Sequence, residues 1–240
     1  MDADLLGLWE RAAGLAPLDR DDALLTAWDG PPPASLGERN AALLRLRTRL
    51  FGPAQALRCR CPACGETAEF GIDCEALAAT LLPCGAPADV RTLEVEGHRL
   101  TYRLPDVHDL RALSAFDDAA EDGFAQALLQ RCLLHVERVD GRPAGTLPAT
   151  AGAALSQEME SLDPGASIAF QVTCPACRHG WSAPLDAGEL VWRELQARAE
   201  RLLLEVDTLA RAYGWRETDV LVLSPTRRAA YLQLASGSAP

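Results

Sequence analysis

The sequence predicts an α+β fold that is mostly helical, in which two copies of one cysteine-containing β-hairpin flank an inserted α+β module. Three observations lead to this prediction. A Cys-Pro-Ala-Cys motif occurs twice, at residues 61–64 and 174–177, each time between short alternating segments. Helical apolar spacing dominates before the first motif and after the second. The residues between the motifs mix both periodicities.

The two cysteine motifs belong to one repeated segment. Residues 57–73 align without gaps on residues 170–186. In each copy a short strand runs into Cys-Pro-Ala-Cys, the chain turns, and a second strand with alternating apolar positions follows. We therefore assign residues 54–74 and 168–186 to a single ribbon whose halves are separated along the chain.

The amino-terminal residues 1–53 are predicted to form a helical unit. Two helices precede the rigid break at Gly30-Pro31-Pro32-Pro33. Ser35 followed three positions later by Glu38 is typical of a capping box, so a third helix is expected to begin there and to stop before Gly52-Pro53.

The insert, residues 75–167, is predicted to combine a strand pair with helices. The pair covers Thr92 to Leu104 and turns at Glu96-Gly97. The other predicted elements follow in order: a helix over Val107–Ala119, a helix over Asp122–Val136, a turn at Asp140-Gly141 and an amphipathic stretch over Ala153–Leu162.

Residues 187–240 are predicted to form a long helix and a tail helix that begins at Ser224-Pro225. Six apolar positions of the long helix follow heptad spacing: Leu195, Ala199, Leu202, Val206, Leu209 and Tyr213. This spacing predicts packing against one partner helix, either in this chain or in another copy. Self-association through the 187–213 helix therefore stays open.

Composition limits the class of protein. The 240 residues are 48% hydrophobic, which supplies a core without disulfide bonds. The net charge of -11 argues against broad contact with nucleic acid or an anionic membrane. No stretch reaches the roughly 18 apolar residues of a membrane span, and the first residues lack a signal-peptide pattern. We expect a cytoplasmic protein.

The two motifs together indicate a metal site made from Cys61, Cys64, Cys174 and Cys177. A Cys-x-x-Cys turn presents two thiolates, and two such turns complete the tetrahedral shell that zinc requires. Four thiolates leave no open position for water or substrate, so the predicted zinc is structural. A thioredoxin-like redox role is the competing interpretation, but neither pair lies at a strand-to-helix junction in a βαβ pattern.

The remaining cysteines and one histidine are interpreted as non-ligands. Cys59 aligns with Val172 in the repeat and so occupies a strand position. His179 follows the second motif and is expected to be a turn residue, with replacement ligand as the alternative. Three further cysteines are expected to be small buried apolar side chains: Cys74, Cys84 and Cys132.

No catalytic motif occurs in the sequence. A nucleophile elbow, a phosphate loop, a dinucleotide fingerprint and a His-Glu-x-x-His helix are all missing from it. We therefore predict a protein that is not an enzyme. An active site assembled from distant residues of the insert remains an alternative.

Three segments together resemble one known family. They are Gly37-Glu-Arg39-Asn-Ala-Ala-Leu43-Leu44-x-Leu46-Arg47 with Phe51-Gly52-Pro53, the first Cys-Pro-Ala-Cys-Gly knuckle leading to Glu69-Phe70, and Asp219-Val-Leu-Val-Leu-Ser224-Pro-Thr-Arg227-Arg228-Ala-Ala-Tyr231-Leu232-x-Leu234. In this order they resemble the baseplate hub assembly proteins of T-even phages, and more closely their relatives in contractile injection system clusters. The resemblance runs from about residue 35 to the end and is weakest in the insert.

The resemblance implies a non-catalytic assembly factor, chaperone or component of the baseplate hub, with hub or spike proteins as partners. It carries no catalytic residues, and the zinc prediction rests on the cysteines alone. The residues of the tail helix proposed to contact a partner are Arg227, Arg228, Tyr231, Leu232 and Leu234. The two arginines are equally compatible with carboxylates on the protein's own surface.

A zinc-ribbon adapter or regulator that contacts nucleic acid is the other binding class. Many ribbons act this way, but the cysteine motifs contribute only Arg58, Arg60 and Arg178 as nearby cations in an acidic chain.

Overall fold

The computed structural model describes residues 2–114, 121–140 and 147–237. Its helices are α1 Asp2–Ala12, α2 Pro17–Asp29, α3 Leu36–Phe51, α4 Cys74–Thr80, α5 Val107–Leu113, α6 Glu121–Cys132, α7 Ala149–Leu162, α8 Ala187–Tyr213, α9 Glu217–Leu221 and α10 Pro225–Ala235. Its strands are β1 Ala54–Arg60, β2 Thr67–Asp73, β3 Arg91–Val95, β4 His98–Tyr102, β5 Leu133–Arg138, β6 Ile168–Thr173 and β7 Gly180–Leu185. The mixed α+β class is confirmed.

The chain divides into two compact units. The first comprises Met1–Trp28 and Gly188–Pro240, and the second comprises Asp29–Ala187. Within the described parts of the chain, no helix is both long and apolar enough to cross a bilayer.

The first unit packs its amino-terminal helices with α8. Arg20 of α2 donates a hydrogen bond to Glu189 at 3.1 Å and lies 5.2 Å from the ring centroid of Trp192. Along α8, four heptad positions are completely buried: Leu195, Ala199, Leu202 and Leu209. Most of the heptad stripe is therefore covered inside its own unit, whereas Val206 is half-buried and Tyr213 is exposed. Packing within the chain is the interpretation that the structure favours.

Helix α3 belongs to the second unit, whereas the sequence analysis grouped it with α1 and α2 in residues 1–53. Its amino-terminal end is attached to the residues after α7. Asp163 Oδ2 accepts hydrogen bonds from the Ser35 hydroxyl and the Gly37 N–H, both at 3.2 Å. Asn40 donates to the carbonyl oxygen of Gly165 at 2.8 Å. These partners lie more than 120 residues away along the chain, so local patterning gives no sign of them.

The α3 contact requires two glycines. A Cβ at Gly37 would lie 1.9 Å from Asp163 Oδ1, and a Cβ at Gly165 would lie 2.6 Å from the Cα of Gly37. Both distances are far below van der Waals contact. The close approach of the two backbones explains why neither position carries a side chain.

The insert contains a three-stranded antiparallel sheet in the order β3-β4-β5. The predicted strand pair and its turn at Glu96-Gly97 are confirmed, because β3 pairs with β4 from Arg91 to Tyr102. The sheet packs on α6 and α7 around an apolar cluster. Its buried members are Leu100, Tyr102, Leu104, Cys132, Leu155 and Met159.

Two predicted helices of the insert need correction or lie partly outside the described residues. The helix predicted over Asp122–Val136 ends at Cys132, because β5 begins at Leu133 and pairs with β4. That pairing is long-range and overrides local helical periodicity. For the helix predicted over Val107–Ala119, α5 covers Val107–Leu113, and residues 115–119 lie outside the described residues. Gly141 of the predicted turn also lies outside them.

Candidate metal centre

The two predicted cysteine hairpins are present and have the same register. Strand β1 pairs antiparallel with β2, and β6 pairs antiparallel with β7. Arg60 stands opposite Thr67 in the first hairpin, and Thr173 stands opposite Gly180 at the equivalent place in the second. The gapless repeat in the sequence therefore corresponds to a repeated structure.

The turns around the cysteines repeat the same backbone hydrogen bonds. In the first knuckle, the Gly65 N–H donates to the Cys61 carbonyl at 2.9 Å. The Arg178 N–H makes the equivalent bond to Cys174 at 3.1 Å in the second. The residue after each Cys-x-x-Cys has a left-handed backbone, with φ of 76° at Gly65 and 64° at Arg178. Glycine suits this conformation and arginine does not, so only the second knuckle is strained.

The four cysteines meet at one point. Their sulfur atoms all lie within 4.8 Å of one another. Cys61 Sγ lies 3.7 Å from Cys177 Sγ, and Cys64 Sγ lies 3.6 Å from Cys174 Sγ, so both close pairs join one knuckle to the other. A tetrahedron of sulfurs about 2.3 Å from a zinc ion has edges of about 3.8 Å. The observed spacing therefore fits a four-thiolate metal site.

Burial divides the cluster into an inner and an outer pair. Cys61 and Cys174 are buried, whereas Cys64 and Cys177 are exposed. The inner pair comes from the first cysteine of each motif, as expected for two hairpins that face each other through equivalent turns.

Backbone hydrogen bonds favour the deprotonated form of one thiol of the cluster. The backbone N–H of Cys177 lies 3.5 Å from Cys174 Sγ. This bond lowers the pKa of Cys174 to about 7, with help from the Ala176 N–H and against the effect of desolvation. At Cys64, the backbone bond with Glu66 lowers the pKa, but the thiols of Cys177 and Cys174 outweigh it and raise the value to about 12. The surroundings therefore shift the pKa values of these two thiols in opposite directions.

The other cysteines lie outside this cluster. Cys59 is half-buried on β1, with its thiol 4.0 Å from the carbonyl of Ala68. Cys74 and Cys132 are completely buried, as predicted for small apolar side chains, and burial raises the pKa of Cys132 to about 11. The same prediction is wrong for Cys84, which is exposed on the loop after α4. Its backbone, rather than its thiol, makes the contact there, since its N–H donates to the Leu162 carbonyl.

Among the described residues, the four cysteines form the only cluster of His, Cys, Asp and Glu side chains suited to a cation. His179 is not part of it. The imidazole is exposed and stacks on Trp181 with ring centroids 6.4 Å apart. Its backbone carbonyl accepts the Cys174 N–H at 2.9 Å, so this residue supports the turn through its main chain.

The residues predicted for partner contact fall into two groups. Arg228 is only 1% exposed, and its guanidinium donates to Glu205 at 2.5 Å and to the Leu223 carbonyl at 3.2 Å. Arg228 therefore pairs with the protein's own carboxylate and is not available at the surface. Arg227 and Leu234 are exposed, with Leu234 at 60%.

The last two predicted contact residues, Tyr231 and Leu232, are half-buried. The Tyr231 ring packs against Tyr213 and Trp215, with centroids 5.8 and 4.9 Å away. This aromatic cluster attaches α10 to the end of α8. The tail helix is thus anchored within the first unit through the aromatic cluster and Arg228.

Sequence reasoning did not single out Asp163. The carboxyl is buried, and burial raises its pKa, while the hydrogen bonds from the Gly37 N–H and the Ser35 hydroxyl act in the opposite direction. It also lines a mostly apolar groove of about 360 Å³ between α5, α6 and α7. The Asp163-Pro164-Gly165 sequence is a turn signal, but nothing local in it indicates a distant helix end as the partner.

No family model, no curated protein and no solved structure matches this chain.

Proposed function

We propose that the four cysteines hold one zinc ion as a structural clasp. The observation that carries this proposal is the meeting of two knuckles at sulfur–sulfur distances of 3.6 and 3.7 Å. Thiolate ligands favour zinc over calcium or magnesium, which prefer oxygen. Zinc bound by four thiolates has no open coordination position, so the ion would supply stability rather than catalysis.

The position of the clasp along the chain gives it a large effect on the fold. Its two halves lie at the two ends of the insert, so the ion closes a loop that contains β3, β4, β5 and the helices between them. Closing such a loop removes conformational freedom from the unfolded chain. Structural zinc contributes on the order of 10 kcal/mol in small zinc-binding modules.

Replacement of Cys61 and Cys64 by serine tests the zinc clasp. We expect the double variant to lose its zinc and to melt at a clearly lower temperature than the parent protein, because one complete knuckle is removed. Cys59→Ser is the matched control, since Cys59 lies on the same strand but outside the cluster. A double variant with one zinc per chain and unchanged melting would overturn the proposal.

We further propose that the protein is a non-catalytic assembly factor, chaperone or component of the baseplate hub of a phage-tail-like contractile injection system, acting in the cytoplasm. The support is the resemblance of three sequence segments to that family. Several residues of those segments have roles inside the fold: Gly37 in the α3 contact, Arg47 in hydrogen bonds to the Gly52 and Ala54 carbonyls, and Arg228 in its pair with Glu205. The residues that carry the resemblance therefore include several that stabilise the fold of this protein.

Charge favours this proposal over a nucleic-acid adapter. Of the three arginines near the knuckles, Arg58 forms an ion pair with Glu69 at 2.9 Å. One of the three cations beside the ribbon is therefore neutralised within the protein, and the whole chain carries -11, which disfavours binding to a phosphate backbone.

The groove beside Asp163 is the place where an enzyme site in the insert would be sought. Its lining is mainly aliphatic and aromatic, and Asp163 Oδ2 is already engaged with Ser35 and Gly37. This arrangement supports a packing role for the carboxylate, and we retain the proposal of a protein that is not an enzyme.

Affinity purification from cells that carry the native gene neighbourhood tests the assembly role. The tagged full chain should bring down baseplate hub or spike proteins, identified by mass spectrometry, with one zinc per chain in the same sample. Recovery of nucleic acid, or of metabolic enzymes alone, would contradict the proposal.

A further inference from the structure

Two of the four cysteines in the metal centre are accessible to solvent. Cys64 and Cys177 are exposed, whereas Cys61 and Cys174 are buried. The susceptibility of a cysteine to oxidation follows its thiolate character and its exposure. The ligands of a bound zinc ion are thiolates rather than thiols, so the outer pair has both properties in the metal-bound protein. The outer sulfurs are therefore the positions at which a small oxidant such as a peroxide reaches the centre.

Each outer sulfur has an inner sulfur of the opposite knuckle beside it. Cys64 Sγ lies 3.6 Å from Cys174 Sγ, and Cys177 Sγ lies 3.7 Å from Cys61 Sγ. All four sulfurs lie within 4.8 Å of one another, so pairing within a knuckle is the geometric alternative. The two short contacts favour pairing across the knuckles, because disulfide formation depends on the access of one sulfur to the other.

We propose that the metal centre is a redox-sensitive switch, in which peroxide converts the zinc clasp into two disulfide bonds, Cys64–Cys174 and Cys61–Cys177. This inference rests on the proposed zinc clasp. It differs from a thioredoxin-like dithiol, in which the two cysteines of one Cys-x-x-Cys motif pair with each other. Here each disulfide joins one hairpin to the other, so the oxidised ribbon loses its metal but stays closed.

The oxidation takes two steps at each sulfur pair and needs peroxide as its only oxidant. In the first step, the outer thiolate attacks a peroxide oxygen, the O–O bond breaks, and a sulfenic acid and hydroxide form. In the second step, the inner thiolate attacks the sulfenic sulfur, the S–O bond breaks, and the disulfide and another hydroxide form. Each peroxide thus accepts two electrons. After two peroxides have reacted, no thiolate ligand remains to hold the zinc ion.

The disulfide form and the reduced metal-free form differ in their effect on the fold. The two knuckles lie at the two ends of the insert, so disulfides across them close the same loop that the metal closes. A covalent cross-link over a long loop restricts the unfolded chain and stabilises the folded one. The oxidised chain should therefore keep stability that the reduced metal-free chain loses. A dithiol reductant returns the four thiolates, which makes the switch reversible.

The other cysteines lie outside the switch. Cys74 and Cys132 are completely buried, and Cys59 is half-buried on β1 outside the cluster. Cys84 is exposed but is not part of the cluster. Cys84→Ser therefore removes the remaining exposed thiol within the described residues, and this variant is the parent chain for the experiments.

Peroxide titration of the full-length Cys84→Ser chain tests the release of the metal. Metal analysis before the titration should find one zinc per chain. We expect about two equivalents of peroxide to release it and a dithiol to restore binding. A loaded chain that keeps its zinc under excess peroxide would overturn the switch alone. A chain that holds no zinc before oxidation would overturn the clasp and the switch together.

Disulfide mapping by mass spectrometry without reduction tests the pairing. Trypsin, which cleaves after arginine, leaves the cysteines of the first knuckle in residues 61–91 and those of the second in residues 139–178. Disulfides across the knuckles join these two peptides, whereas disulfides within each knuckle leave them separate. We expect the joined peptides. Separate peptides, or sulfinic acids in place of disulfides, would contradict the proposal.

Single substitutions identify the partners and do not depend on bound zinc. Under peroxide, Cys64→Ser should form the Cys61–Cys177 disulfide, and Cys177→Ser should form Cys64–Cys174. A Cys174–Cys177 disulfide in the Cys64→Ser variant would overturn the cross-knuckle pairing. Cys59→Ser is the matched control and should release its zinc at the same peroxide ratio as the parent chain.

Thermal melting tests whether the oxidised ribbon stays closed. The peroxide-treated chain should melt at a higher temperature than the same chain reduced and stripped of metal by a chelator, because only the former keeps a cross-link between the hairpins. Equal melting temperatures would show that the disulfides do not replace the clasp.

Discussion

In the metal centre, Arg178 has the backbone conformation least suited to its residue type, because a positive φ is unfavourable for residues other than glycine. It occupies the position that Gly65 occupies in the first knuckle, and its φ is 64°. The amide at this position donates to the carbonyl of Cys174, so the turn itself requires the left-handed conformation. The strain is therefore set by the metal-binding turn and not by the arginine side chain, which is exposed.

Arg178→Gly should stabilise the protein by about 0.5–1 kcal/mol, because glycine adopts a positive φ without steric cost. The measurement is the free energy of unfolding by urea with zinc present. Gly65→Ala is the matched control in the other knuckle and should destabilise by a similar amount. A destabilised Arg178→Gly variant would mean that the arginine side chain contributes more than its backbone costs.

At position 37, glycine is required because neighbouring atoms leave no room for a side chain. Gly37→Ala should destabilise the protein by about 1–3 kcal/mol, since the new methyl group would overlap Asp163 and the carbonyl of Leu81. Gly7→Ala is the control, because the nearest atom to its Cβ is 3.6 Å away and alanine is favoured inside a helix. Thermal melting of both variants should show opposite shifts, and equal shifts would argue against the close α3 contact.

At the scale of elements, single buried charges attach helices to their neighbours. The tail helix α10 begins after its capping residue Ser224, as the sequence predicted, and the Ser224 side chain accepts a hydrogen bond from the Arg227 N–H. Its attachment to α8 depends on Arg228 and Glu205, whose side chains are 1% and 19% exposed. Periodicity located the helix correctly but did not reveal which of its two adjacent arginines is buried.

Arg228→Ala should destabilise the first unit by about 3 kcal/mol, because it leaves Glu205 without its cation in a poorly solvated place. Arg227→Ala, the neighbouring exposed position, should change stability by no more than about 0.5 kcal/mol. Urea unfolding of the two variants compares them directly. If both variants behave alike, the buried ion pair does not hold the tail helix.

The start of α5 depends on a second ion pair. Asp109 is 1% exposed and accepts hydrogen bonds from Arg103 at 2.6 and 2.8 Å and from Arg131 at 3.1 Å. Burial alone would raise the pKa of Asp109, but the bonds from Arg103, the Asp106 N–H and Arg131 outweigh it and hold the pKa at about 2, below the ordinary 3.8. A carboxyl with a lowered pKa stabilises the fold above its unfolded pKa and loses that contribution as the pH falls through the folded value.

Asp109→Asn should therefore be destabilised relative to the parent by on the order of 2 kcal/mol at pH 7, with the difference shrinking as the pH falls from about 4 towards 2. Urea unfolding at a series of pH values measures it. Asp140→Asn serves as the control, because Asp140 forms an exposed pair with Arg138 and should show little effect at any pH. A difference that does not depend on pH would contradict the ion-pair explanation.

At the scale of the whole molecule, the chain forms two compact units with the four cysteines all in the second. The first unit is assembled from both ends of the chain, whereas the second is continuous over Asp29–Ala187. The continuous unit has its own apolar cluster, its three sheets and the α3 contact. Those features are what an independently folding domain needs.

Residues 29–187 expressed alone should fold and bind one zinc per chain. Cooperative thermal unfolding and metal analysis are the measurements, and the same fragment with Cys61→Ser and Cys64→Ser is the control that should not bind the metal. An unfolded fragment in the presence of zinc would show that the second unit depends on residues outside it.

The sequence by itself determined the elements whose signals are local: the α+β class, the two knuckles and their register, the β3–β4 turn and the capped starts of α3 and α10. These depend on spacing, turn residues and caps within a few positions of each other. Only the tertiary structure decided the association of α3 with Asp163, the pairing of β5 with β4, the burial of Arg228 and the exposure of Cys84. Each depends on residues that are distant along the chain. Local periodicity carries no information about which distant residue provides a hydrogen bond or an ion pair, or about which side chain is left exposed to solvent.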